Sequence, residues 1–439
     1  MSGNGSGRRR YAVVVDPVGT GQDYPAAFAA AGVETVAVLS AAEPIHHFLG
    51  SWHPENFAYL HRFDGGLDRL AAAVREHHPL CVVAGAETGV ELTDALCELV
   101  LPGTGNPPAP PGTPCPRRNK WAMAQAVERA GLPHVRQFCS DDPAATGEWL
   151  ERTGLAGSRL VLKPPNSGGT DDVHFVAPGE DWRPYFDQIH GKLNTLELRN
   201  DAVLVGEYVE GTEYMIDSYS VDGAHGLVDV CRYVKSKRGD RLGLYDLVEF
   251  LAPDHPAVSE VWPYAQQVLD AVQVRNGCAH TEVILSPAGP RFLEVGARPA
   301  GGGHQMITTL ATGSNQIRRT VEHRVHGIHY PSYELVQHVC SVVINSPAAG
   351  VWQNPELFDR AKSLPTYWAE HFEGRSGEPV PQTVDFVTYL GWVVLAGPDH
   401  AAVTADYQHL KDLERQIQIA PATGAGAADP PGVERSRHG

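Results

Sequence analysis

Two short β-like runs in the second half of the chain carry the residues best suited to chemistry. TEVIL (281–285) and RFLEV (291–295) are joined by SPAGP, read as a five-residue turn centred on Ala288. Folding this hairpin symmetrically sets Glu282 opposite Glu294 and Ile284 opposite Phe292. Directly paired side chains lie about 4.5–5.5 Å apart at Cβ, and His280 joins Glu282 on one face by the two-residue period. Two facing carboxylates repel, so such a pair is either splayed into solvent or bridged by a cation. Mg2+ suits the second case, since it binds through one or two carboxylates plus substrate phosphates. Arg298 follows, just ahead of Gly301-Gly302-Gly303, where the backbone can pass close to a ligand.

A second stretch, RLVLKPPNSGGTDDVHFV (159–176), ends an apolar run in Lys163 and re-enters β-like sequence near Val173. The pattern GxxxxGK[ST] occurs nowhere, and this strand leads to a strand, so 164–172 reads as a hairpin tip and not as a P-loop. Gly168 and Gly169 let backbone N–H groups turn inward, and Ser167 and Thr170 add hydroxyl donors. A flap of that kind can fold over phosphates, with Lys163 supplying charge; an ordinary hairpin with a surface lysine is the alternative. The chain has seven lysines, so the place of each is informative. Lys120 falls in the first turn of a predicted helix, NKWAMAQAVERAG (119–131), capped by Asn119 and stopped at Gly131. It is either solvated or turned to a ligand. In VLVGEYVEGTEYMIDSYSVDG (203–223) a β-run reaches Glu207, crosses Val209 and Gly211, and resumes at Glu213. Such a connector can present backbone groups to a flat heterocycle and a carboxylate to ribose hydroxyls, or be a plain bent strand.

Three further features are weaker. Gly19-Thr20-Gly21 follows a strand, but Tyr24 holds the third glycine position of the dinucleotide fingerprint, so a structural βα turn is expected. His323, His326 and His329 are spaced by three, but Gly327 interrupts the helix, and surface histidines are expected in preference to a metal site. Residues 231–250 place Lys235, Lys237 and Arg238 in a predicted loop that either meets substrate or phosphate or is solvated.

These residues need elements to position them. At 439 residues the chain has length for about three domains. YAVVV (11–15), a helix ending at Gly32, VETVAVLS (33–40), a helix over 67–77 and LCVVAG (80–85) give the βαβ rhythm of a small parallel sheet. LPGTGNPPAPPGTPCPRR (101–118) reads as a linker. Beyond 320, VVINSPAAGV (342–351) and FVTYLGWVVLAG (386–397) are β-like, and YQHLKDLERQIQI (407–419) is the last predicted helix. These form a small unit closing one side of a cleft. Residues 1–10 and 421–439 have little to bury and are expected to be disordered.

Composition excludes several classes. A net charge of −17 argues against nonspecific nucleic-acid binding and leaves an anionic ligand to be held by local cations or backbone amides. There is no run of eighteen apolar residues, so no membrane partner is expected. Seven scattered cysteines without a CxxC pair argue against a disulfide framework or thiolate zinc site and fit a reducing cytoplasm.

In chain order the motifs are a lysine helix, a lysine with a glycine flap, E-x-V-x-G-x-E, H-x-E and E-x-G-x-R. This order, over about residues 115–320, resembles the ATP-grasp superfamily, and within it the carboxylate–amine ligases of the L-amino acid ligase type. The resemblance implies an α/β and α+β fold. Its parts are an N-terminal Rossmann-like parallel-sheet domain (11–115), an ATP-grasp domain of two α+β subdomains (116–325, lid about 133–208) and a small C-terminal α+β subdomain (326–420). It implies ATP and Mg2+, or Mn2+ in its place. Lys120 and Lys163 would contact the ATP phosphates and adenine region under the flap Ser167, Gly168, Gly169 and Thr170. Glu207 and Val209 would hold adenine, partly through backbone, Glu213 the ribose, and Glu282 and Glu294 the metal. Arg298 would face an acyl phosphate, with Lys163 as the second catalytic residue and His280, Gly301 and Gly302 toward substrate. Many members carry Asn where this chain has Gly296, which leaves the number of metal ions open. The implied reaction joins a small-molecule carboxylate to an amine through an acyl phosphate, releasing ADP and phosphate, with a homodimer as candidate assembly. The alternatives are an ATP-grasp carboxylase using bicarbonate, a nucleotide-binding module without catalysis, and an oxidoreductase built on the N-terminal GxG. A module that had lost catalysis would have replaced the metal carboxylates or Arg298, and all are present.

Overall fold

YAVVV forms the strand Tyr11–Val15, and all five residues are buried, as suits a parallel strand covered on both faces. The computed structural model describes residues 9–238, 241–372, 376–384 and 388–422. Of the termini expected to be disordered, 1–8 and 423–439 lie outside the described residues. Arg10 is already tied in, its carbonyl accepting the Glu34 N–H at 2.9 Å. The parallel sheet runs Tyr59–Arg62, Glu34–Leu39, Tyr11–Val15, Val82–Ala84. Its odd-numbered core residues Tyr11, Val13 and Val15 pack on Leu70 and Val74 of the helix Leu67–Glu76 and on Leu92 and Leu96 of Val90–Val100. Ala12 and Val14 face Tyr24 and Phe28, together with Ile317 and Val321 of the distant helix Gln316–His326. The Gly19–Gly21 turn is structural: a Cβ on Gly21 would lie 2.6 Å from Gly85 Cα, and Thr20 donates to the Ala300 carbonyl at 2.7 Å.

An antiparallel sheet of eight strands forms the centre. Its order is Gly289–Gly296, Gly277–Ser286, Thr212–Val221, Ala224–Arg238, Arg241–Phe250, His338–Ile344, Gly391–Gly397, Tyr367–Phe372. Two expectations are corrected here. Residues 231–238 and 241–250 form two long paired strands and not a loop. Their charged residues mark a polar sheet face, which imitates loop composition; the side chains of Lys237 and Arg238 lie outside the described residues. The last helix covers His400–Glu414, capped by the Asp399 side chain, and not 407–419. Three strands beyond residue 326 continue the central sheet next to Arg241–Phe250, and Pro379–Val380, Gly350–Trp352 and Ile419–Ala420 form a separate small sheet. One sheet face is apolar: the helix Pro256–Ala271 lays Val261, Ala265, Val268 and Leu269 into the cluster containing Ile216, Ala279 and Val283. Each fully buried aliphatic side chain of this kind contributes roughly 1.5–3 kcal/mol.

The metal-motif hairpin differs from its predicted form in two ways. Ser286 pairs with Gly289, so the turn holds two residues, and Ile284 faces Arg291 while Val283 faces Phe292. A β-bulge then skips Leu293 and brings Glu282 opposite Glu294. The longer turn and the missing bulge cancel, which is why the carboxylate pair comes out right. Gly289–Gly296 is an edge strand. Its outer side meets a bridge to His134, and the Phe292 N–H donates to the Tyr264 hydroxyl at 3.0 Å.

A smaller antiparallel sheet, Gln137–Ser140, Val203–Glu207, Leu160–Lys163, His174–Val176, packs on Trp149, Leu150 and Phe186. The segment 101–118 contains no helix or strand, yet it is firmly attached. Arg117 is fully buried, donates to Asp94 at 3.0 and 2.8 Å and to the Val272 carbonyl at 3.1 Å, and so fastens the helix Val90–Val100 to the end of Pro256–Ala271. Among the described residues no helix is long and apolar enough to cross a membrane.

Candidate active site

The polar face of the central sheet and the end of the strand Leu160–Lys163 bring three of the seven lysines to one cleft. Asn119 caps the helix Lys120–Arg129 by accepting the Ala122 N–H at 2.9 Å. A buried lysine in the first turn is doubly unfavourable, because the helix dipole and desolvation both oppose its charge. Glu294 at 3.0 Å and the Ser167 carbonyl offset this, so Lys120 is not a solvated lysine. Burial works against the charge on Glu294, but Lys120 and Lys163 outweigh it and hold the carboxyl down at about 2.

Lys163 is different. Among the described residues it has no ion pair and no hydrogen bond from its side chain. Burial lowers its pKa; Glu294 pulls it up and Lys120 pushes it down, and the result is a depressed value. A half-buried cation left without a partner in a cleft is a place for an anion.

The flap above it is built from left-handed backbone: Gly169 at φ +67°, Thr170 at +60° and Asp172 at +52°. The two non-glycine residues there are strained conformers of the kind that collect at ligand sites. The hydroxyls expected to face phosphate are engaged inside the flap: Ser167 donates to Asp171 at 2.8 Å and Thr170 to the Gly169 carbonyl at 2.7 Å. Asp171 also accepts the Thr195 N–H and hydroxyl, which ties the flap to the segment beside it. The flap therefore offers backbone N–H groups, chiefly at Gly168 and Gly169.

Glu282 and Glu294 are directly paired and about a quarter exposed (24% and 25%). Two such oxygen donors on one face fit a single Mg2+ completed by phosphate oxygens. Gly296 adds no side-chain ligand. His280, in register with Asp217, holds its Oδ1 through Nδ1 at 2.7 Å and sets Nε2 3.5 Å from Glu282. Burial opposes the charge on His280, but Asp217 and Glu282 outweigh it and hold the pKa at about 10.

The hinge carboxylates are both engaged within the chain. The Glu207 carboxylate accepts the Arg136 N–H at 2.9 Å and its Nε–H at 2.7 Å, so it ties down the lid sheet and is not turned to a base. Among the described residues no hydrogen bond engages the backbone of Val209. Glu213 is paired with Lys235 at 2.6 Å and accepts from Tyr245 at 3.3 Å. Burial raises its pKa and Lys235 only partly counters this. Arg298 donates through Nε to Glu87 at 2.9 Å and through Nη1 to the Pro299 carbonyl at 3.0 Å. Gly302 and Gly303 then turn the chain at φ +63° and +73° into the helix His304–Thr312.

The histidine triplet does not form a metal-binding group: His323 and His329 hydrogen-bond to Tyr219 at 3.0 and 3.3 Å, and His326 is exposed. Asp229, Cys231 and His304 lie close enough to share an ion, but Asp229 already accepts from His304 and Thr308. Glu87, Arg118 and Asp217 are not among the residues the sequence singles out, whereas Lys235 is, and it reaches the site through Glu213. Asp217 had a signal, since it shares the face of Glu213 by the two-residue period; Glu87 sits in another domain and had none.

The flap lysine and the hairpin of paired carboxylates are the features on which the resemblance to the ATP-grasp superfamily rests. Residues 157–308 match the family profile of the ATP-grasp domain, and the chain carries that domain. It is 24% identical over 362 residues to dapdiamide A synthase of Enterobacter agglomerans, covering 80% of this chain and 83% of that protein. It is 23% identical over 190 residues to an L-arginine-specific L-amino acid ligase of Bacillus subtilis, 42% and 44% of the two chains. Among solved structures, an L-amino acid ligase from Bacillus licheniformis superposes with a TM-score of 0.65 at 16% identity, over 95% of this chain and 100% of that one. Carboxyaminoimidazole ribonucleotide synthase of Aspergillus clavatus complexed with ATP gives 0.63 at 16%, over 94% and 100%.

Proposed function

We propose that this protein is an ATP-dependent, ADP-forming carboxylate–amine ligase. Its product is an amide or peptide bond between an amino acid or other small carboxylic acid and an amine, often a second amino acid. One observation carries the reading: Lys120, Lys163, Glu282 and Glu294 converge on one sheet face beneath a glycine flap. The names of the relatives, a synthase and two amino acid ligases, support it.

Lys163 and the flap amides bind the triphosphate, and Val209 and Glu213 hold the nucleoside. Glu282 and Glu294 would hold Mg2+, or Mn2+, which when bound would neutralise phosphate charge. A substrate carboxylate oxygen attacks the γ-phosphorus, the bond to the β–γ bridging oxygen breaks, and ADP leaves. The amine then attacks the acyl carbon and loses a proton, and phosphate departs. Arg298 stabilises the oxyanion between these events, and His280, Gly301 and Gly302 border the substrate. The flap excludes water, which would otherwise hydrolyse the acyl phosphate. Seven free cysteines, six of them buried, suit a reducing cytoplasm as its place.

The test is an ADP-release screen with amino acids and small carboxylates, singly and in pairs. Equal amounts of ADP, phosphate and amide are expected. AMP and pyrophosphate would overturn the acyl-phosphate route, and ADP release driven by bicarbonate alone would make the protein a carboxylase.

A further inference from the structure

Arg298 has four side-chain torsions and a guanidinium that must be aimed. Its anchor comes from another domain. Glu87 lies in the turn Glu87–Gly89 between the strand Val82–Ala84 and the helix Val90–Val100 of the parallel sheet. Its Oε2 accepts the Arg298 Nε–H at 2.9 Å. Its Oε1 lies 3.5 Å from Nη1 of Arg118, a largely buried guanidinium nitrogen that has no hydrogen-bond partner among the described residues. Glu87 is thus braced on one oxygen by Arg118 and presented to Arg298 on the other.

The contact exists because residue 296 has no side chain. A Cβ there would stand 3.2 Å from Glu87 Oε2, 3.3 Å from Arg298 Cζ and 3.4 Å from Arg298 Nε. Those distances are too tight for an undisturbed ion pair. Gly296 is not among the residues of positive φ, so its backbone does not require glycine. Space does.

We propose that Glu87 is the positioning residue of Arg298: the N-terminal sheet aims the guanidinium that meets the reacting carbonyl, and Gly296 is the gap that admits the pair. With Nε on Glu87 and Nη1 on the Pro299 carbonyl, the guanidinium is fixed in plane and its Nη2 edge is left for substrate. The proposal rests on the ligase reading, in which Arg298 acts on the acyl phosphate.

The test uses Glu87→Gln, Gly296→Ala and the double variant in the full-length protein. Steady-state ADP release, calorimetric ATP binding, melting temperature and NMR of the Arg298 Nε–H are measured. Glu87→Gln weakens a hydrogen bond to a charged group, so kcat should fall roughly 10–100-fold with ATP affinity unchanged. Gly296→Ala should fall similarly, and the double variant should be no worse than the poorer single one, because both remove the same contact. The Nε–H, protected from solvent exchange in the parent, should lose protection in both. Unchanged kcat in Glu87→Gln, or additive losses in the double variant, would overturn the proposal. Loss of ATP affinity in step with kcat would mean that Glu87 only holds the domains together. The exchange readout needs no turnover: a parent protein that releases no ADP but protects the Arg298 Nε–H refutes the ligase reading and leaves the Glu87 anchor standing. If Glu87→Gln does not fold, Gly296→Ala carries the same readouts.

Discussion

Arg117 and Lys163 are both cations set into the interior, and they are treated in opposite ways. Arg117 donates to Asp94 from Nε and Nη2, to the Val272 carbonyl from Nη1 and, from Nη2 as well, to the Pro107 carbonyl. Lys163 has Lys120 beside it as a like charge and no bonded partner among the described residues. A charge used for architecture is satisfied within the chain, since an unpaired buried charge costs several kcal/mol. On the proposed reading, a charge used for binding is left incomplete for its ligand to complete. The contrast separates two ion clusters that composition alone makes alike.

The largest effect should come from breaking the architectural pair. Arg117→Met leaves Asp94 buried and unpaired and should cost about 3–5 kcal/mol in urea unfolding. The ATP affinity of the remaining folded protein should not change. If ATP affinity falls and stability does not, Arg117 belongs to the site and the contrast fails.

Next, Glu294→Gln keeps the shape of one proposed metal ligand and removes its charge. Turnover should drop roughly 10²–10³-fold, with a smaller loss of stability than in Arg117→Met. Near-normal rates at saturating Mg2+ would refute the paired-carboxylate site.

Lys163→Met should weaken calorimetric ATP binding by roughly 10-fold without lowering the melting temperature, because no internal bond is lost. A clear drop in melting temperature would show that Lys163 has structural partners after all.

The smallest effects are in pH dependence. Glu294 has a folded value below its unfolded one, so its stabilisation is present above about pH 4.3 and is lost as pH falls through about 2. Lys163 also has a depressed folded value, and the slope has the same sign; for a cation, though, the depression is a destabilisation at lower pH that is relieved as pH rises. Between that value and about 10.4 the unfolded chain binds more protons, so stability rises with pH. Glu294→Gln should flatten the acid limb of the stability–pH curve, and Lys163→Met the alkaline rise. Curves that coincide with the parent would remove both assignments.

What the sequence could disclose was local. Glu282 and Glu294 were legible because a strand repeats every two residues and a hairpin fixes its own register. Even so, the pairing survived only because an overlong turn and an unseen bulge cancelled. Lys120 was legible as a helical residue, but its partner was not, since Glu294 lies in a distant strand. The strands Ala224–Arg238 and Arg241–Phe250 were hidden because one face of each is polar, and polar runs imitate loops. Glu207 matched its motif, yet its carboxylate is spent on Arg136, which no spacing rule reveals. Glu87 could not be found at all: its meaning depends on a gap at Gly296 and a guanidinium from another domain.

The edge position of the strand Gly289–Gly296 has a consequence for solubility. An exposed sheet edge is a template on which a second chain can add a strand and begin to aggregate. Here the edge is disarmed by the bulge at Leu293, by the bridge to His134, and by the Tyr264 hydroxyl on the Phe292 amide. Tyr264 also donates to the Pro133 carbonyl, so one phenol seals the edge to the segment that covers it. The strand that holds Glu294 can thus stay open to a nucleotide on its face while refusing another protein along its side.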